Sequence, residues 1–133
     1  MAAKPQHADV HHSPEHLSAT ALTAFFNICD AWGLNAEDER VLLGAPPRST
    51  FFKWKSSRIG NLAADTLERI SYIMGIYKAL HILLPTPVAA DAWVKKPNKT
   101  AMFAGKSALE RMRAGRVVDL ADVRRYLDAE RGT

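Results

Sequence analysis

Helix stops constrain this chain more than any other feature. Gly33, Gly44, Pro46-Pro47, Pro85, Pro87 and Gly115 interrupt the apolar periodicity and cut it into short pieces. Between the stops, apolar residues recur at helical spacing, and the strand signal is weak everywhere. Val117-Val118 can make a short extended piece and no more. The expected fold class is therefore all-α. A length of 133 residues, with 47% apolar and 24% charged, suits one domain or two small ones sharing a core.

Six helices follow from caps and stripes. The first runs from about Ser18 to Trp32, capped by Ser18 or Thr20, with Leu22, Phe25, Cys29 and Trp32 on one face. Asn35 caps a second, short helix that ends at Gly44, with Glu37, Asp38 and Glu39 at its dipole-positive end. A third runs from about Arg48 to Ser57. The fourth, from about Asp65 to Leu83, matches a capping-box spacing at Asp65 and Glu68. Leu67, Ile70, Ile73, Met74, Tyr77, Leu80 and Leu84 cover much of its circumference, so it is the expected central helix. Gly75 in its middle costs roughly 1 kcal/mol against Ala and points to close packing. Ser107 and Glu110 form a capping box for a fifth helix closed by Gly115, and Asp119 caps a sixth. The expected layout is an arm (1–17), a helix-turn-helix domain (18–86) and a C-terminal module (87–133).

Several function classes recede at this level. No stretch approaches the roughly 20 apolar residues of a membrane span, and the N-terminus lacks a secretion signal, so a cytoplasmic protein is expected. Cys29 stands alone and reads as a small buried hydrophobe. His7, His11, His12 and His16 lie in the arm, but Pro14 separates the last two and no carboxylate or thiol cluster joins them, so no metal is expected. His81, within an apolar helix, reads as a packed core histidine. No nucleophile, acid–base pair or phosphate loop is visible. The chain is expected not to be an enzyme and to need no cofactor.

The basic charge is local. The net charge is +4, yet no Asp or Glu falls between Glu39 and Asp65, where Arg48, Lys53, Lys55 and Arg58 all lie. Two short helices joined by a Gly-containing turn, the second basic and outward-facing, describe a helix-turn-helix. Phe51 and Trp54 are three apart and face the core with Thr50. The DNA-contacting set is Arg48, Ser49, Thr50, Phe52, Lys53, Lys55 and Arg58. Arg and Ser/Thr at the helix start can reach bases, whereas Lys53, Lys55 and Arg58 would mostly meet phosphate. A solvated basic helix in a plain bundle is the alternative, and Phe52 can equally touch a thymine methyl, pack at a dimer interface or be buried.

The last third reads W-V-K-K-P-N, F-A-G-K-S-A-L-E-R-M, A-G-R-V-V-D-L and V-R-R-Y-L-D. Turn residues, a helix start, a stop and a second helix follow in order, which suits a partner-fitting module. Trp93, Pro97, Phe103 and Gly105 come from a segment with little regular structure, and Trp93 reads as core. Arg111, Arg113, Arg116, Arg124, Arg125 and Arg131 make the module basic.

These pieces, with R-S-T-F-F-K-W and D-T-L-E-R-I-S-Y-I-M-G-I-Y-K-A-L, resemble the Xre/MbcA/ParS antitoxins over about residues 18–132. The resemblance implies an Xre-like helix-turn-helix domain followed by a small, mostly helical toxin-binding domain. It implies a RES-domain toxin that consumes NAD as partner, with the antitoxin's C-terminal region obstructing that toxin's active site. It also implies repression of the antitoxin's own operon. Carried onto this chain, the toxin-binding set is Leu120, Val123, Arg124, Tyr126, Leu127, Arg131 and Gly132. Operator DNA is a further expected partner, and a homodimer is expected because helix-turn-helix proteins usually read paired half-sites. The alternative is a helix-turn-helix transcription regulator whose C-terminal module serves only dimerisation or ligand sensing.

Overall fold

The computed structural model describes residues 14–132. Among the described residues seven α-helices follow in order: α1 (Pro14–Trp32), α2 (Ala36–Leu42), α3 (Arg48–Ser57), α4 (Ala64–Leu83), α5 (Pro87–Ala92), α6 (Ala108–Met112) and α7 (Val117–Glu130), with a 3-10 turn at Trp93–Lys95. No strand occurs among the described residues, and one isolated antiparallel bridge joins Pro97 to Ser107. None of the described helices is long and apolar enough to cross a membrane.

The starts of three helices differ from the sequence reading. α1 begins at Pro14, a residue suited to a first turn because that turn has no use for its missing N–H. Ser18 is buried inside the helix at 2% exposure and Thr20 faces solvent, so neither caps it. Pro14 to Leu17 thus leave the expected arm, and His7, His11 and His12 lie outside the described residues. α4 enters from extended Ala63, and no side chain caps it. The Asp65–Glu68 pair falls too far inside the helix to form a box, and the Asp65 carboxylate instead accepts from Arg69 Nε at 3.0 Å. α7 begins at Val117 after extended Arg116, which makes Val117-Val118 helical. Asp119 is therefore not its cap. It lies in the first turn, buried, and accepts from Arg116 Nε and Nη2 at 3.2 and 3.0 Å.

Two caps stand as read. Asn35 Oδ1 accepts from the Asp38 N–H at 2.8 Å, and Ser107 Oγ accepts from the Glu110 N–H at 3.1 Å, each box closed by the return bond. A helix absent from the sequence reading, α5, is capped by Thr86, which accepts from the Ala89 N–H at 3.1 Å, and has Pro87 in its first turn.

α4 is the centre of the molecule. α1 packs on one side of it and α7 on another, burying Ile70, Ile73, Ile76, Ala79 and Leu80 with Leu22, Phe25, Phe26, Leu120, Val123 and Leu127. Ser71, Met74, Lys78 and Ile82 recur at helical spacing on its remaining, open face. Met74, expected in the core, is consequently 43% exposed. Burial of α1 also holds Cys29 fully covered, and loss of hydration pushes its thiol pKa far up, with Glu39 adding to the rise. His81 is not a core residue. It stacks on Tyr77 with ring centroids 4.2 Å apart, and its Nε2 lies 2.8 Å from Asp91 Oδ1 on α5.

Polar ties join the two halves of the chain around this core. Lys95 Nζ donates to the Gly33 carbonyl at 2.6 Å. Arg69 lies over Gly44, where a Cβ would come within 3.0 Å of its Nε, and its Nη1 reaches the Gly115 carbonyl at 3.0 Å. Arg113 Nε meets Asp38 Oδ1 at 3.0 Å.

Candidate functional site

Two surfaces carry the candidate residues. The first is α3, held on the body by Phe51, which is 1% exposed and meets Phe26 edge-on at 5.9 Å. Arg48, Ser49, Phe52 and Lys53 are exposed along it, while Thr50 is half-buried. Phe52 is 50% exposed, and Ile59 just beyond the helix is 60% exposed. Arg48 Nη2 sits 3.4 Å from Glu37 Oε1. Lys53 has no ion-pair partner among the described residues.

Lys55 and Arg58 turn toward the protein rather than outward. Lys55 Nζ is 2.6 Å from Glu39 Oε1, and Glu39 is wholly buried. The same ammonium lies 5.8 Å from the Phe26 ring centroid and 6.0 Å from that of Phe51. Arg58 ends α3 in a left-handed conformation (φ 60°), and its guanidinium lies 4.8 Å from the Phe26 ring centroid. The outward-facing part of the set is Arg48, Ser49, Phe52 and Lys53.

Each acid in the first turn of α2 meets a cation, Glu37 from the same helix and the other two from distant elements. Arg40 Nε and Nη2 take Glu37 at 3.2 and 3.1 Å, Arg113 takes Asp38, and Lys55 takes Glu39. Hydrogen bonding from Arg40, with the charges of Arg40, Arg48 and Arg113, holds the Glu37 carboxyl below its ordinary pKa. Nothing in the spacing of Glu37-Asp38-Glu39 showed these partners, because two of the cations come from distant elements.

The second surface is α7. Leu120, Val123 and Leu127, expected in the toxin-contacting set, are 1%, 0% and 2% exposed. They form the apolar stripe that seats α7 on α4, so their side chains are withdrawn from any partner while the bundle is intact. Tyr126 is half-buried in an aromatic cluster, with its ring 5.3 Å from Phe103 and 6.4 Å from Trp93. Trp93 is accordingly half-buried rather than a full core residue. Arg124 Nε bonds the Asp128 carboxylate at 3.1 Å, and Arg131 Nη1 lies 3.8 Å from the same residue. Asp122 receives both Arg111 (2.9 Å) and Arg125, and these bonds hold its carboxyl below the ordinary range. Arg131 and Gly132 close the helix, Gly132 with φ 79°.

Gly75 explains the position of Arg124. A Cβ at Gly75 would overlap the Arg124 guanidinium, so the missing side chain is the groove in which that arginine lies. Gly75→Ala should gain roughly 1 kcal/mol of helix propensity and lose most of it by displacing Arg124. Denaturant melts should show a net change well under about 1 kcal/mol, with a shifted Arg124 guanidinium NMR signal. The full gain with an unmoved signal would contradict this contact.

The fold defines a helix-turn-helix protein whose C-terminal helices share the core of the helix-turn-helix body. Comparison with known proteins agrees for both halves. Residues 14–75 match the antitoxin Xre-like helix-turn-helix domain, and residues 79–132 match the antitoxin Xre/MbcA/ParS C-terminal toxin-binding domain. The chain is also 55% identical over 111 residues to the uncharacterized protein y4oB of Sinorhizobium fredii (strain NBRC 101917 / NGR234), a match spanning 84% of each chain. The chain belongs to the Xre/MbcA/ParS antitoxin family, a regulatory kind of protein with a helix-turn-helix domain and a toxin-binding domain.

Proposed function

We propose that this antitoxin neutralises a NAD-consuming RES-domain toxin by occluding its active site with the end of α7 and the residues after it. As a homodimer it would also repress its own operon through α3. The helix-turn-helix domain in this reading spans 18–86 and the toxin-binding domain 87–133, with α4 reaching into the core of both. The toxin's identity rests on the resemblance of the C-terminal motifs.

The observation that carries the mode of action is how α7 is mounted. Its buried stripe fixes the helix on α4, so Glu130, Arg131 and Gly132 are offered on a rigid stem. Rigid presentation lowers the entropy lost on binding. A site that accommodates the pyrophosphate of NAD favours negative charge, which Asp128 and Glu130 can imitate. Arg131, held near Asp128, can exchange that partner for a carboxylate of the toxin. Reading the set against burial leaves Arg124, Tyr126, Arg131 and Gly132 as the contact candidates.

Deleting α7 would remove core and destroy the fold, so the informative variants are small. Ending the chain after Glu130, or replacing Arg131 by Ala, should leave thermal stability near wild type. Co-expression with the toxin should then show cellular NAD falling at least several-fold below the level kept by the intact antitoxin. Full protection by the shortened chain would remove the tail from the mechanism. Unchanged NAD when the toxin is expressed alone would remove the RES assignment.

A further inference from the structure

The geometry points to a DNA-backbone contact made by the toxin-binding module itself: Arg113 and Arg116, with Lys106 beside them, continue the basic surface of α3 and bind phosphates of the same duplex. The inference rests on the operator-binding reading of α3.

The argument begins with a conflict. In a helix-turn-helix the first helix of the pair crosses the sugar–phosphate backbone. Here that helix is α2, whose first turn carries Glu37, Asp38 and Glu39. Glu37 is partly open to solvent while Asp38 and Glu39 are buried, and uncompensated carboxylate charge in this turn would oppose phosphates placed beside it. The protein removes the conflict by covering each with a cation, and the one on Asp38 comes from the C-terminal half. Arg113 and Arg48 thereby flank the same acidic turn, Arg48 at Glu37 and Arg113 at the adjacent Asp38.

The pairs are asymmetric in a way that leaves positive charge outward. The Asp38 side chain is 8% exposed and that of Asp119 2%, whereas those of their partners Arg113 and Arg116 are 48% and 71% exposed. Arg113 spends Nε on Asp38, and Arg116 spends Nε and Nη2 on Asp119. Each keeps further N–H donors on a guanidinium that a buried carboxylate holds in place. A fixed fork with spare donors is the arrangement that suits phosphate oxygens. Both arginines line a groove of about 510 Å³ together with Lys106, Arg111, Glu110 and Asp119. Of its two acids, Asp119 is buried against Arg116, and Glu110, though exposed, is spent on the Ser107 N–H, from which it accepts at 3.1 Å. Lys106 has no ion-pair partner among the described residues. An acidic face of the toxin is the competing occupant. DNA is favoured because the strip continues from Arg48 at the start of α3 rather than from the end of α7.

The test uses the full chain and two duplexes, one from the region upstream of its own gene and one of unrelated sequence. Affinity is measured by fluorescence anisotropy from about 50 to 200 mM salt. Replacing both arginines, R113Q with R116Q, should flatten the slope of log K against log salt by about 1.8, at about 0.9 per phosphate. The flattening should be equal on both duplexes, because backbone contacts carry no sequence choice. The charge-keeping pair, R113K with R116K, should retain the wild-type slope. Should the Gln pair fail to fold, Lys106→Ala alone should flatten the slope by about 0.9. Wild-type slopes in the Gln pair, or in Lys106→Ala where the Gln pair does not fold, would overturn the inference while leaving α3 as the reader. So would a loss of toxin neutralisation with unchanged DNA binding. A wild-type chain that binds neither duplex would overturn the operator reading and this inference together.

Discussion

Leu120→Ala is expected to lower the unfolding free energy by about 3 kcal/mol, within the 2–5 kcal/mol typical of a buried leucine truncation. Leu120 is 1% exposed and lies with Val123 and Leu127 in the stripe that seats α7 on α4. The loss combines transfer of the removed methyl groups with the cavity left between two helices that carry their own packing. A urea melt should show a lower midpoint with an unchanged slope. This outcome separates two ways of weakening an antitoxin. Leu120→Ala would impair neutralisation by depopulating the fold, so lowering the temperature should restore it. Arg131→Ala would impair neutralisation at every temperature with the melt unchanged. A neutral Leu120→Ala melt would mean that α7 is not seated as described.

Lys55→Ala has the next largest expected effect, about 2–4 kcal/mol at neutral pH. Glu39 is fully buried and its Oε1 depends on Lys55 Nζ at 2.6 Å, while its Oε2 has no hydrogen-bond partner. Removing the ammonium strands a charge in the core, which is costlier than losing an exposed pair. The Lys55 side chain is 37% exposed, so solvent reaches it and the cost falls below that of a wholly buried pair. The double substitution Lys55→Ala with Glu39→Gln should recover most of the loss. A chemical-denaturation cycle measures this directly. Equal loss in the single and double variants would show that Lys55 acts through packing on Phe26 and Phe51 instead. Either result bears on the proposed operator binding, because this pair ties α3 to α2.

Local signals were legible in the sequence wherever one stretch of chain settles the matter. The Asn35 cap and the Ser107 box need only four consecutive residues, and both formed as read, Asn35 with a return bond from Asp38 besides. The outward Phe52 and inward Phe51 follow from helical phase alone. The same local logic failed at Asp65 and Asp119, which have capping chemistry but enter the helix too late to use it. Thr86 was equally readable as a cap, yet the flanking prolines signalled only a break. Gly75 announced close packing without showing that an arginine from α7 was the neighbour.

Helical spacing, stops and caps in the sequence by themselves determined an all-α protein with a basic third helix and the last two helices of the C-terminal module, but not α5 ahead of them. These depend on backbone preferences and on apolar period, both written into neighbouring residues. Only the tertiary structure decided which charges are spent and which remain. Lys55 and Arg58 look like phosphate contacts in the chain, but buried Glu39 and the Phe26 ring hold them. Leu120, Val123 and Leu127 look like a binding face, but α4 covers them. Ion pairing and burial join residues far apart in sequence, so the outward surface becomes known only once the core has chosen its partners.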